Sequence, residues 1–128
     1  MKILVVDDEI LVRKSLSRAW QMSGHEVFEA DSGDVGLQLW QEVQPDIVFL
    51  DVWMPRMTGP QVLEKISSER KRASFVVLMS AFAAELDEAK AKKMGARGFL
   101  PKPFQDIFEV VKVMEEKFKE GIKEEPGH

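Results

Sequence analysis

Residues 4–9 read LVVDDE, three apolar side chains running straight into three carboxylates. With Lys2 and Ile3 ahead of it the apolar part becomes KILVV, continuous and rich in β-branched residues. That is the pattern of a strand buried on both faces. Asp7, Asp8 and Glu9 would then crowd together where the strand ends. Like charges packed together disfavour ionisation unless something positive offsets them. Helix capping explains one or two of these acids, because carboxylates favour a helix N-terminus. A bound cation would explain the whole cluster.

The rest of the chain alternates in the same way. Val12, Leu16, Ala19 and Trp20 recur at helical spacing, and Gly24 supplies a stop. HEVFEA (25–30) is a weaker, alternating strand. In 31–45, DSGDVGLQLWQEVQP, an apolar stripe of Val35, Leu39, Trp40 and Val43 predicts a helix ended by Pro45. DIVFLD (46–51) and SFVVLMSA (74–81) are two more strong strands. Between them VWMPRMTG reads as a loop, and Pro60 suits the first turn of a helix over PQVLEKISSER. An Ala-rich helix is expected from about Ala84 to Met94, with Ala84, Ala89, Ala91, Leu86 and Met94 facing inward and Gly95 ending it. RGFLPKP (97–103) is a short strand, and Ile107, Val111, Met114 and Phe118 mark a last helix. Five strands alternating with five helices predict an α/β fold, a parallel sheet covered by helices on both faces through right-handed crossovers.

Composition narrows the class. A chain of 128 residues suits one domain, expected over 1–119, with a charged, frayed tail at 120–128. Twenty-two acidic against 18 basic residues give a net charge of −4, which argues against direct nucleic-acid binding. The absence of cysteine excludes disulfides and thiolate chemistry. The opening MKILVVDD is no signal peptide, and no stretch approaches the roughly 20 apolar residues of a membrane span. A cytoplasmic protein is the expectation.

In open α/β sheets, sites form beyond the carboxyl ends of the strands. Here those ends carry Asp7 and Asp8, Asp51, Ser80 and Lys102. Each alone has an ordinary reading as a cap, a turn residue or a solvated lysine. Together they converge three carboxylates, a hydroxyl and an ammonium on one edge. Clustered carboxylates with open positions suit Mg²⁺. A cation beside a lysine makes a place for a phosphoryl group, Ser80 can donate to it, and a carboxylate nucleophile can form an acyl phosphate.

VVDDE, VFLDVWMPRMTG, VVLMSA and GFLPKPF match, in order and spacing, the receiver domain of two-component response regulators, and the chain resembles that family over about Lys2 to Phe118. The resemblance implies a flavodoxin-like doubly wound sheet of order 2-1-3-4-5. It implies that Asp51 is the phospho-accepting aspartate, with Asp8, Asp51 and the main-chain carbonyl of Trp53 as Mg²⁺ ligands and Asp7 acting through water. Lys102 resembles the phosphate-pairing lysine, with a cis bond to Pro103. Ser80 and Phe99 resemble the switch pair, where the family often has Thr and Tyr, and small Ala81 leaves access to the phosphate. Trp53 and Phe82 lie two residues past Asp51 and Ser80, at positions that flank the path of the hydrolytic water. Both are bulky and apolar, so slow self-dephosphorylation is expected.

The implied function is that of a signalling domain which catalyses its own phosphorylation and dephosphorylation, rather than a turnover enzyme. Its phosphate would come from a sensor histidine kinase or a histidine phosphotransfer protein. Its output would be a downstream protein or a homodimer, joined through the Ala-rich helix, the strand of Phe99 and the last helix, where Val110 and Val113 widen the apolar face. No membrane or nucleic acid is implied as a partner. Two enzyme readings fit less well: a P-loop hydrolase lacks its GxxxxGK[ST] loop, and a haloacid-dehalogenase-type phosphatase needs a second acid where Trp53 stands. A degenerate receiver used only for binding would lack part of the motif set, and none is missing.

Overall fold

In chain order the elements are β1 (Lys2–Val6), α1 (Ile10–Met22), β2 (Glu26–Ala30), α2 (Gly33–Val43), β3 (Ile47–Asp51), α3 (Gly59–Lys65), α4 (Ser68–Ala73), β4 (Phe75–Ser80), α5 (Glu88–Lys93), β5 (Gly98–Pro101) and α6 (Ile107–Glu124). The computed structural model describes residues 1–82 and 86–124. All strand pairings are parallel, and the sheet runs β2-β1-β3-β4-β5.

Strand alternation splits the core in two. Leu4, Val6, Val48, Leu50, Val76 and Leu78 face one side, where they meet Trp40 of α2, Val62 and Leu63 of α3, and Ala91 of α5. Ile3, Val5, Ile47, Phe49, Val77 and Met79 face the other, against Leu16, Ala19 and Trp20 of α1 and Val111 and Met114 of α6. Central strands buried on both sides are apolar at every position, and β3 and β4 are buried along their full lengths.

Four expectations are corrected. The described residues hold six helices, not five, because the segment expected to be one helix breaks at Ile66. Ile66 is extended (ψ 145°), and the Ser67 hydroxyl then caps a new helix by accepting from Arg70 N. The Ala-rich helix is short: Asp87 caps it, Ala91 and Leu86 are buried, but Ala89 and Met94 are exposed, and Ala84 lies outside the described residues. Val35 faces solvent, and α2 instead approaches the sheet through Gly36, where a Cβ would come within 2.7 Å of Val6. Finally, α6 does not stop at Lys119 but runs to Glu124, so residues 120–124 are helical. Gly121 permits this, lying close to Phe75 and to Arg97, whose guanidinium sits 6.0 Å from the Phe75 ring centroid. Residues 125–128 of the expected tail lie outside the described residues. None of the described helices is long and apolar enough to cross a membrane.

One buried polar chain ties α2 to the starts of β3 and β4. Trp40 Nε1 donates to Ser74 Oγ (3.0 Å), and Ser74 donates to the Pro45 carbonyl (2.7 Å). Replacing Ser74→Ala strands a buried indole N–H and a buried carbonyl. It should cost about 1–3 kcal/mol in urea unfolding; a loss under about 0.5 kcal/mol, the range of an ordinary surface change, would show that the chain contributes little.

Candidate functional site

Asp7 closes β1 with no exposed surface and is fixed at four points. Its N–H donates to the Ala30 carbonyl (3.1 Å), and its carbonyl accepts from Arg13 Nη1 (2.8 Å). Its Oδ1 accepts from Glu9 N (2.9 Å), and its Oδ2 lies 2.7 Å from Lys102 Nζ. Arg13 is itself anchored by Glu29 at 3.1 Å. Asp51 ends β3, 3% exposed, with Oδ1 3.2 Å from the same ammonium. Asp8 is exposed beside them. Carboxylate oxygens of Asp7, Asp8 and Asp51 all lie within 4.8 Å of one another.

Lys102 reaches this cluster because the register sets it there. Pro101 pairs with Ser80, and Lys102 N donates to the Ser80 carbonyl (2.9 Å). The Lys102–Pro103 peptide is cis. Ser80, 1% exposed, ends β4, and its Oγ accepts from Phe82 N (2.9 Å). Leu78 pairs with Phe99, so Phe99 lies across from β4 on the face that also carries Ser80, half-buried against the α2–α3–α5 core. The exposed rings of Trp53 (51%) and Phe82 (56%) stand on the loops that follow Asp51 and Ser80.

The electrostatics follow from burial. Desolvation first, and then the charge of Asp7, push the Asp51 carboxyl up to about 7, against the pull of Lys102. Asp7 is also raised, by burial, with Lys102 and the Glu9 N–H opposing. Burial pulls the Lys102 ammonium down, but its close contact with Asp7 and the charges of Asp51 and Asp7 outweigh this and hold it above the usual lysine value.

The donor set fits a hard divalent cation: oxygen ligands only, two of the three residues buried. Buried Asp7 Oδ2 points the same way. Lys102 is close to it but outside hydrogen-bond alignment, which leaves acceptor capacity unfilled.

Asp7, Asp8, Asp51, Ser80 and Lys102 are brought to this one edge, whereas Phe99 pairs with Leu78, two residues short of it. Two contributors were not singled out. Glu9 reaches Lys102 Nζ at 3.1 Å, whereas the run of three acids suggested a cap or a bound cation rather than a lysine partner, and its side chain makes no capping bond. At Gly59 a Cβ would sit 2.5 Å from the Asp51 carbonyl oxygen. Only a glycine lets α3 start so close to β3, and the glycine that closes VWMPRMTG was the available signal.

The chain belongs to the response regulator receiver domain family, whose sequence profile matches residues 3–114. It is 37% identical over 106 residues to the chemotaxis protein CheY of Listeria monocytogenes, covering 82% of this chain and 88% of that protein. It is 34% identical over 128 residues to the regulatory protein AtoC of Escherichia coli, covering 99% of this chain and 27% of AtoC. The chain thus spans about a quarter of AtoC, and 42% and 40% of two matched ycf27 transcriptional regulators. Among solved structures, a CheY-like receiver domain from Methanospirillum hungatei superposes with a TM-score of 0.85, at 24% identity over 97% of this chain and 98% of that one. The response regulator TrrA of Thermotoga maritima, solved in complex with Mg²⁺–BeF, gives 0.77 at 28% identity over 91% and 97%. The fold and the family of two-component signalling receivers are therefore established.

The raised Asp51 carboxyl fixes a sign. In metal-free solution the folded protein keeps a proton on Asp51 up to about pH 7, whereas the unfolded chain releases it near 3.8. Between these values the native state binds more protons, so its stability falls as pH rises. Asp51→Asn should therefore gain stability over the wild type progressively from about pH 4 to 7, and no further above that. Thermal melts in EDTA read this, and a pH-independent difference would contradict it.

Proposed function

We propose that the chain accepts a phosphoryl group on Asp51 from a histidine kinase or histidine phosphotransfer protein. The observation that carries this reading is the bridge made by Lys102 Nζ between Asp7 and Asp51 at the carboxyl edge of the sheet. The phosphorus–nitrogen bond of a phosphohistidine breaks as a phosphorus–oxygen bond to Asp51 forms. The freed imidazole keeps the electron pair and takes up a proton. Lys102 pairs with the phosphoryl oxygens, and Ser80 turns its hydroxyl toward them, giving up the bond from Phe82 N. Asp8, Asp51 and the Trp53 carbonyl would hold Mg²⁺, with Asp7 supporting it through water, and the bound ion would neutralise the crowded carboxylates and the incoming phosphate.

As Ser80 moves inward, space opens along β4, and Phe99 fills it from its half-buried position. α5 is loosely held, with Ala91 its sole buried residue, so it follows easily. The face of α5, β5 and α6, where Val110 and Val113 are half-buried, then engages a downstream protein or a second copy. The part of the cell this function requires is the cytoplasm, where kinases and their phosphodonors meet. Phe82 carries no polar group and Trp53 only an indole N–H donor, so neither accepts a proton from water beside Asp51, and the acyl phosphate persists.

Two measurements test this. Acetyl phosphate with Mg²⁺ should label the wild type and leave Asp51→Asn unlabelled; equal labelling would sink the assignment. Trp53→Asn combined with Phe82→Glu should shorten the phosphate lifetime about tenfold, or about 1.4 kcal/mol of barrier, and an unchanged lifetime would refute the role of the two rings.

A further inference from the structure

Three carboxylates surround the Lys102 ammonium, Asp7 Oδ2 at 2.7 Å, Glu9 Oε1 at 3.1 Å and Asp51 Oδ1 at 3.2 Å, and of these three contacts the one to Glu9 has hydrogen-bond alignment. A phosphoryl group on Asp51 competes for the same ammonium. The three partners differ in what their release costs. Asp7 and Asp51 are buried, so withdrawing the ammonium from either would leave an uncompensated buried charge. The Glu9 side chain is 60% exposed and is solvated at once when it lets go. Glu9 directly precedes α1, yet its side chain caps nothing, so the start of the helix does not depend on that side chain. Among the described residues its carboxylate bonds to Lys102.

Building on the phosphoacceptor reading above, we propose that Glu9 is an internal competitor for Lys102, a positioning residue that holds one donor in the resting pocket and yields it to the phosphoryl group. No covalent change occurs at Glu9. As anionic oxygens arrive beside Lys102, like-charge repulsion and ready solvation both drive the Glu9 carboxylate outward. Glu9 thereby sets how readily the pocket accepts phosphate, without touching the reacting atoms. The Glu9 contact is half-exposed, so its influence is that of one surface ion pair.

The test uses the full chain with saturating Mg²⁺ and beryllofluoride, a phosphoryl mimic, read by the fluorescence of Trp53, whose ring is exposed while Trp20 and Trp40 are buried. Glu9→Gln should lower the half-saturating beryllofluoride about two- to fivefold, the scale of one such pair. The initial rate with acetyl phosphate should rise by the same factor. Glu9→Asp keeps the charge but falls short of Lys102, and should shift in the same direction. Loss of fold cannot tighten binding, so the sign is decisive. An unchanged or higher half-saturation in Glu9→Gln, or a Glu9→Asp indistinguishable from wild type, overturns the proposal. If instead Asp51→Asn still answers beryllofluoride, the phosphoacceptor reading itself fails.

Discussion

One ammonium inside a nest of carboxylates holds this protein's carboxyl edge together. Lys102 is 5% exposed at its side chain and meets three acids within 3.2 Å, two of them buried. Without it, the buried carboxylates of Asp7 and Asp51 would face each other uncompensated, and one would have to stay protonated. Even with it, the balance is incomplete: three carboxylates of the cluster face one ammonium, and burial still holds Asp51 up to about 7. A pocket left with surplus negative charge and an unfilled acceptor on Asp7 is a pocket prepared for a cation.

The scaffold makes that arrangement stiff. β1 and β3 are buried neighbours, so the acids at their ends are positioned by backbone pairing rather than by flexible side chains. Arg13 clamps the Asp7 carbonyl, and the Gly59 contact seats α3 directly against Asp51. On the other side of the site the restraint is looser. α5 buries one residue, Phe99 is half-buried, and Ser80 Oγ accepts from Phe82 N, a bond that leaves the hydroxyl proton free to be donated. Rigid acids thus stand beside a more loosely held strand–helix pair.

Much of this was legible in the sequence for a physical reason. Central parallel strands are apolar at every position, so KILVV, IVFL and FVVLM declare themselves, and the polar residue that ends each run marks the functional edge. The break between α3 and α4 was less visible, because the apolar pattern continues through Ile66 and only the Ser67 cap betrays the new start. The helical end of α6 was hidden because KEGIKE looks like solvated tail; its helix is supported by packing against Phe75 and Arg97, which local composition does not reveal. Glu9 escaped for a similar reason. Its partner lies 93 residues away, and adjacency to Asp8 made capping the nearer explanation.

The most direct test of this electrostatic account is calorimetric titration of Mg²⁺ into the chain at pH 6.5 and at pH 9, in buffers of differing ionisation heat. A carboxyl held near 7 must give up its proton when the ion arrives. Heats that depend on the buffer at pH 6.5, showing proton release, and that lose this dependence at pH 9 are the predicted result. Binding without proton release at either pH, or no binding at all, would contradict it.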